Sequence, residues 1–247
     1  MDWVPLNFID DVCHQLEHEA FQQVSELSDT WSPFGAEHRE KRREFVFSCR
    51  VDGQKISYSF KDWKNKTSMR VAVADVNSKF DRITSVNIFD STDPLTNWDS
   101  LNELKHNVLP TVASLVANCY WSCMTGDAHN QIFFEAFKNC PGIKNISVKE
   151  QGQESRDFIA RQVELGNVQK LYLYARQSVE WPEPEKLAET IKTFVNSERF
   201  DDLIYQDVNM SELFLESVYS GELKPNRRVA IKDMNGTSLM KVRRSAI

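Results

Sequence analysis

Two histidines, His14 and His18, stand four residues apart, a spacing that lets two imidazoles on one helix turn share a metal with a third ligand. No partner of obvious geometry lies near them, so two solvent-facing histidines are the plainer reading. Cys119-x-x-x-Cys123, with His129 and Cys140, has the ligand types of a zinc site without the spacing of a knuckle. Cys119 as a nucleophile needs an electropositive neighbour to hold its thiolate, and the local sequence supplies none. Gly-x-Ser-x-Gly, Gly-x-x-x-x-Gly-Lys, Gly-x-Gly-x-x-Gly and His-Glu-x-x-His do not occur. The Arg39-x-Lys41-Arg42-Arg43 cluster alternates with Glu37, Glu40 and Glu44, as a salt-bridged helix face does. The expectation is a chain with no catalytic, cofactor or metal site. An unrecognised hydrolase or metal enzyme stays open as a third reading, because convergent sites are invisible to motifs.

The elements that carry these residues must come from 247 residues with 41% hydrophobic and 27% charged content, close to globular averages. Only 8 Gly and 8 Pro are scattered along the chain, which excludes low-complexity linkers. Net charge is −6, unevenly placed: 1–43 carries −5, 44–220 carries −6 and 221–247 carries +5. No zinc-finger, RRM or helix-turn-helix signature accompanies the basic tail, so nucleic acid is not expected as a partner. Five irregularly spaced cysteines (Cys13, Cys49, Cys119, Cys123, Cys140) suit reduced core thiols and a cytoplasmic or nuclear protein. Met1-Asp2-Trp3-Val4-Pro5 does not read as a signal peptide. Asn107–Gly126 is uncharged for 20 residues, long enough to span a bilayer. Its apolar residues Leu109, Val112, Val116, Cys119 and Cys123 recur at helical spacing, so a buried core helix is expected and no membrane.

Three regions follow. Residues 1–43 read as short helices: one stripe of Phe8, Ile9, Val12, Cys13 and Leu16, with Asn7 placed to cap it and Asp10 in its first turn. Phe21, Val24, Leu27 and Trp31 form a second stripe; Pro33 then disturbs the chain before a charged helix, Ala36–Arg43. The second region opens with a hairpin over 45–60, its strands flanking Asp52-Gly53, a type I′ turn dipeptide, and an alternating run Arg70–Val76 follows. In the third, apolar-x-x-apolar-x-apolar recurs at Ile83/Val86/Ile88, Ile143/Ile146/Val148, Val168/Leu171/Leu173 and Phe200/Leu203/Tyr205. Helical stretches Asp127–Asn139, Glu154–Leu165 and Pro184–Asn196 fill the later intervals. The first interval, of 60 residues, holds the uncharged helix and an irregular insertion. A strand and a returning helix repeated at this spacing are the unit of an α/β solenoid; chance alternation is the competing reading.

Val4-Pro5, Phe8, Val12, Leu16, Phe21, Val24, Leu27-Ser28 and Trp31 resemble the F-box. Phe158–Tyr174, Trp181-Pro182 and Phe194–Tyr205 are similar to the F-box-associated, leucine-rich-repeat-like regions of the large nematode F-box-like families. The position three past each triplet is Ser91, Gln151, Arg176 or Val208, never the Asn of ordinary leucine-rich repeats, so the solenoid is divergent. The resemblance implies an α+β or α/β chain: an F-box-like helical module over 1–43 and a divergent leucine-rich-repeat-like solenoid over 44–247. The solenoid would hold strand-helix repeats over about 83–220 and a C-terminal hairpin over about 228–243. It also implies a non-catalytic substrate receptor of a cullin-RING ubiquitin ligase. Val4, Pro5, Phe8, Val12, Leu16 and Trp31 would then meet a Skp-type adaptor, and the solenoid an unknown protein target. The runner-up is a stand-alone interaction protein whose N-terminal helices cap the solenoid.

Strand alternation turns the apolar triplets inward and their neighbours outward. Phe89, Lys149, Tyr172, Tyr174 and Ile204 are expected on one outward face, as a target-binding surface rich in tyrosine. The competing expectation is that Arg228–Val242, around the Asn235-Gly236 turn, covers this face and makes it core.

Overall fold

The computed structural model describes residues 4–16, 20–27, 29–53, 55–63, 75–91, 99–126, 130–149, 152–174, 184–206, 228–232 and 238–243. Three helices come first: α1 (Leu6–Gln15), α2 (Ala20–Ser25) and α3 (Ser32–Lys41). Pro5, not Asn7, caps α1; its carbonyl accepts from the N–H groups of Phe8 (2.9 Å) and Ile9 (3.2 Å). A proline suits that place because its missing N–H would have no helical partner. Asn7 therefore lies inside the helix, and Asp10 falls beyond the first turn. Pro33 likewise starts α3 instead of disturbing it. Ile9 and Cys13, four apart on α1, meet Phe21 and Val24, three apart on α2, in a small core of their own. Such short helices are held by this packing, since their length gives little intrinsic stability.

The rest of the chain is mixed α/β, built on a nine-stranded sheet. Its strands are β1 (Arg43–Asp52), β2 (Lys55–Asp62), β3 (Asp81–Asp90), β4 (Val116–Cys123), β5 (Ile143–Lys149), β6 (Lys170–Tyr174), β7 (Asp202–Gln206), β8 (Arg228–Lys232) and β9 (Ser238–Arg243). The order is β2-β1-β3-β4-β5-β6-β7-β8-β9, with β1 and β3 to β8 parallel and an antiparallel strand at each edge. In the first hairpin Asp52 pairs with Lys55, so Asp52 ends the strand and the turn begins at Gly53, one residue later than expected. Gly53 supplies the positive φ, +57°, that a tight turn needs.

Between the parallel strands run α4 (Leu101–Glu103), a π-helical turn (Leu104–Val108), α5 (Leu109–Leu115), α6 (Asn130–Phe137), α7 (Gln153–Glu164) and α8 (Pro184–Asn196). Parallel crossovers are right-handed almost without exception, so a strand order that never reverses sends every returning helix to the same face. The packing agrees. Trp121 of β4 lies against Phe134 and Phe137 of α6 and Phe158 of α7, ring centroids 4.4–6.1 Å apart. The row Phe47, Val86, Trp121, Ile146, Leu171 and Leu203 is in register across six strands, each residue buried.

One expectation fails in an instructive way. Asn107–Gly126 is not one core helix: it is helical only to Leu115, and Val116–Cys123 is strand β4, inside the sheet between β3 and β5. Cys119, Trp121 and Cys123 are inward residues of a strand at period two. Val116-x-x-Cys119-x-Trp121 carries the same triplet spacing as the other copies and marks the strand that fills the 60-residue interval. What hides it is irregularity. Ile83 pairs with Val116 but Val86 with Trp121, and Asn118 takes a positive φ of 48° within the bulged stretch. That bulge presses on the turn before β5, where a Cβ on Gly142 would lie 2.2 Å from the Val116 carbonyl oxygen.

The described residues of Arg228–Val242 do not cover the sheet. Residues of this segment form β8 and β9, which extend it in plane beyond β7. Arg70–Ala74, most of the expected alternating run, and the Asn235-Gly236 turn lie outside the described residues. Among the described residues no helix is long and apolar enough to cross a membrane.

Candidate interaction surfaces

On the helical module the small core uses only part of the apolar sequence. Ile9, Cys13 and Phe21 are fully buried, whereas Leu6, Phe8 and Leu27 are 59%, 52% and 59% exposed. Phe8 stands edge-on to Trp31 at 6.5 Å, joining α1 to the start of α3. Pro5 is exposed, and Val4, Val12, Leu16 and Trp31 are half-buried. The six residues expected to meet an adaptor therefore divide into an exposed pair, Pro5 and Phe8, and a half-buried four, of which Val4, Leu16 and Trp31 pack against the module's core.

A polar clasp that sequence reasoning missed holds this module to the sheet. His38 of α3 is fully buried between Phe21 of α2, stacked at 5.6 Å, and Phe80 just before β3, edge-on at 5.3 Å. Its Nε2 lies 2.9 Å from the Asp10 carboxylate of α1. Burial pushes the His38 pKa below its ordinary value, and the Asp10 hydrogen bond only partly opposes that. Lys79 sits 3.7 Å from Asp10 and 3.3 Å from Glu37, closing the clasp from the sheet side. No local pattern announces these contacts, because Asp10 and His38 are 28 residues apart.

The basic cluster splits by role. Lys41 pairs with Glu37 at 2.9 Å, as a salt-bridged helix face predicts. Arg42, however, turns inward, donates to the Cys13 and Leu16 carbonyls and lies over the Phe21 ring at 4.5 Å. Those carbonyls end α1, so the guanidinium acts as its C-terminal cap. Arg43 belongs to β1 and grips Asp81 of β3 with two hydrogen bonds of 2.8 and 2.7 Å.

The opposite face of the sheet carries no helix among the described residues. Register places Phe89, Lys149 and Tyr174 along one row, and Tyr172 and Ile204 in the next, all half-buried. The tyrosines are tied down. Tyr172 donates to Asp202 at 3.2 Å, and burial with that carboxylate raises its pKa to about 12. Tyr174 bonds Ser147, while burial raises its pKa. Asp202 also takes a two-pronged bond from Arg228, repeating at the far side the Arg43–Asp81 staple between neighbouring parallel strands.

Among the described residues the thiol and imidazole groups do not gather. All five cysteines are free and buried. Burial drives the Cys119 thiol far up and the Cys123 thiol to about 12, so both stay protonated and unreactive at neutral pH. They pack the inward face of β4 rather than a helix. Among the described residues no group of three His, Cys, Asp or Glu side chains could hold a metal; His18, His129 and the His14 side chain lie outside them. No protein-family model matches the chain, and a comparison with curated proteins finds no match.

Proposed function

We propose that this chain is a non-catalytic receptor with two docking surfaces. Residues of α1–α3 dock on a Skp-type adaptor of a cullin-RING ubiquitin ligase, and the helix-free sheet face holds a protein target. In that reading the sheet domain is a divergent leucine-rich-repeat-like solenoid, its strands advancing one neighbour at a time. The chain works in the cytoplasm or nucleus and raises the effective concentration of the target near the ligase. One observation carries the reading: the helical module has its own core yet leaves Leu6, Phe8 and Leu27 in solvent, Phe8 edge-on to Trp31. Several large apolar side chains exposed together are a feature of surfaces that bind protein. The test is a pull-down of the purified chain with a purified Skp-type adaptor. Retention that is lost in Phe8→Ala supports the reading, and no retention removes it.

A second reading has an observation of its own. The His38, Asp10 and Lys79 clasp fastens the module to the start of β3, as a terminal cap would be fastened. In that reading the chain is a stand-alone interaction protein and binds no adaptor.

A further inference from the structure

The helix-free face differs from the rest of the molecule in charge. The whole chain is at −6, yet the rows of this face are dominated by bases. Lys170 and Arg228 on it are engaged by Asp201 and Asp202. Among the described residues Arg50, Lys61 and Lys149 have no carboxylate within ion-pair distance, and Arg50 lies over the Phe89 ring at 6.0 Å. Against these stand Glu44, Asp52 and the already bonded Asp202; Asp52 is opposite Lys55 across the hairpin. Asp90, at the rim beside Lys149, has its carboxylate turned to the Gly126 N–H at 3.2 Å.

Shape adds to charge. The middle row is low: Ser48, Asn87, Ser122 and Ser147 are in register across four strands, with Ser122 and Ser147 buried among longer neighbours. Along one side runs the taller row of Arg50, Phe89, Met124 and Lys149; along the other stand Tyr120 and Asn145. Tyr172 and Ile204 close the far end of the low row. The result is a shallow trough crossing the strands, floored by hydroxyl and amide groups.

We propose that this trough takes an extended acidic peptide, its carboxylates meeting Arg50 and Lys149. The inference rests on reading the sheet face as the target-holding surface. It adds the chemistry of the target and a spacing. Arg50 and Lys149 are separated by three strand intervals, about 14 Å, which an extended chain covers in about four residues. Acids four positions apart therefore meet both cations while the hydroxyl floor bonds the backbone between them. Nucleic acid is the lesser fit, because the chain's long-range field is negative and both tyrosine hydroxyls are held within the sheet.

The test uses the full purified chain on an array of Gly/Ser peptides carrying two Glu at increasing separation, with Gln counterparts. Retention peaks near a separation of four, disappears for Gln and weakens as salt screens the charges. Lys149→Glu and Arg50→Glu each cut retention about tenfold, a difference of about 1.4 kcal/mol, with unchanged thermal melting. No retention, equal retention of Gln peptides, or indifference to both reversals overturns the proposal. A single-stranded oligonucleotide that binds more tightly through the same two residues replaces the peptide assignment. The adaptor pull-down reads α1–α3, so failure here and failure there are separate results.

Discussion

The helical module and the sheet domain solve the same problem with different materials. The sheet buries continuous rows of apolar side chains against α4–α8, from Phe47 to Val229. Among the described residues the module's own apolar core is four buried side chains, and it leans on polar contacts, His38 with Asp10 and Arg42 with the end of α1, to hold its shape. A domain core that large tolerates no void, whereas a clasp of a few hydrogen bonds can open without unfolding what lies beyond it. Stability and recognition are thus separated along the chain. Substitutions in the sheet should change the whole fold, and those in the module should change its docking or its binding.

The largest effect should come from Trp121→Ala. It removes the ring that joins α6 and α7 to the middle of the sheet, and truncating a buried aromatic costs about 3–5 kcal/mol. Chemical denaturation should show a global loss of that size; a loss confined to the helical signal of α1–α3 would break the contrast. Gly142→Ala should come next. Its Cβ would meet the Val116 carbonyl at 2.2 Å, so the turn must move and about 1–3 kcal/mol is lost. Gly53→Ala, with open space around it, should cost less by the same assay, through its positive φ alone.

How far these differences were legible in the sequence depends on whether a contact is local. The hairpin strands, α7 and α8 follow from periodicity and turn residues, because each is decided within a dozen positions. β4 did not, although Val116, Cys119 and Trp121 carry the triplet. Its bulge at Asn118 puts the pattern out of step with its neighbours, and its thiols sit at helical as well as strand spacing. Pro33 was legible as punctuation, but neither it nor Pro5 was legible as a helix start, since a proline breaks a helix or begins one according to what precedes it. The exposed Phe8 could not be told from the buried Ile9 beside it. The clasp was invisible altogether, because it depends on α1, α3 and the turn before β3 meeting in space.

Acid should test the clasp. His38 has a depressed pKa in the fold because burial disfavours its charged form. The unfolded chain then takes the proton more readily. The contribution is fully present above the unfolded value of about 6.5 and is lost as pH falls through the lower, folded value. The groups around the ring are Asp10, Lys79 and Arg42, of which Asp10 favours its protonation and the two bases oppose it. Protection of the α1–α3 amides, taken relative to their intrinsic exchange rate at each pH, should fall below about pH 6.5 while that of the sheet amides holds. His38→Phe should flatten that pH dependence. An unchanged profile in the variant would assign the acid effect elsewhere.

The smallest effect on stability should fall where the effect on binding is largest. Phe8 is 52% exposed, and its recorded ring contact is the edge of Trp31. Exposed substitutions away from core contacts change stability by about 0.5 kcal/mol or less, so Phe8→Ala should melt close to wild type. Leu27→Ala should do the same. If the patch meets an adaptor, truncating a central aromatic there should cost about 2 kcal/mol of binding, roughly thirtyfold, while His38 and the sheet are untouched. Calorimetry of each variant against the adaptor, run beside its melting curve, separates the two quantities. A variant that loses stability instead would place Phe8 within the module's core, and the exposed patch would shrink to Leu6 and Leu27. A variant that keeps both stability and adaptor binding would leave the module as a cap, fastened through His38 and Lys79.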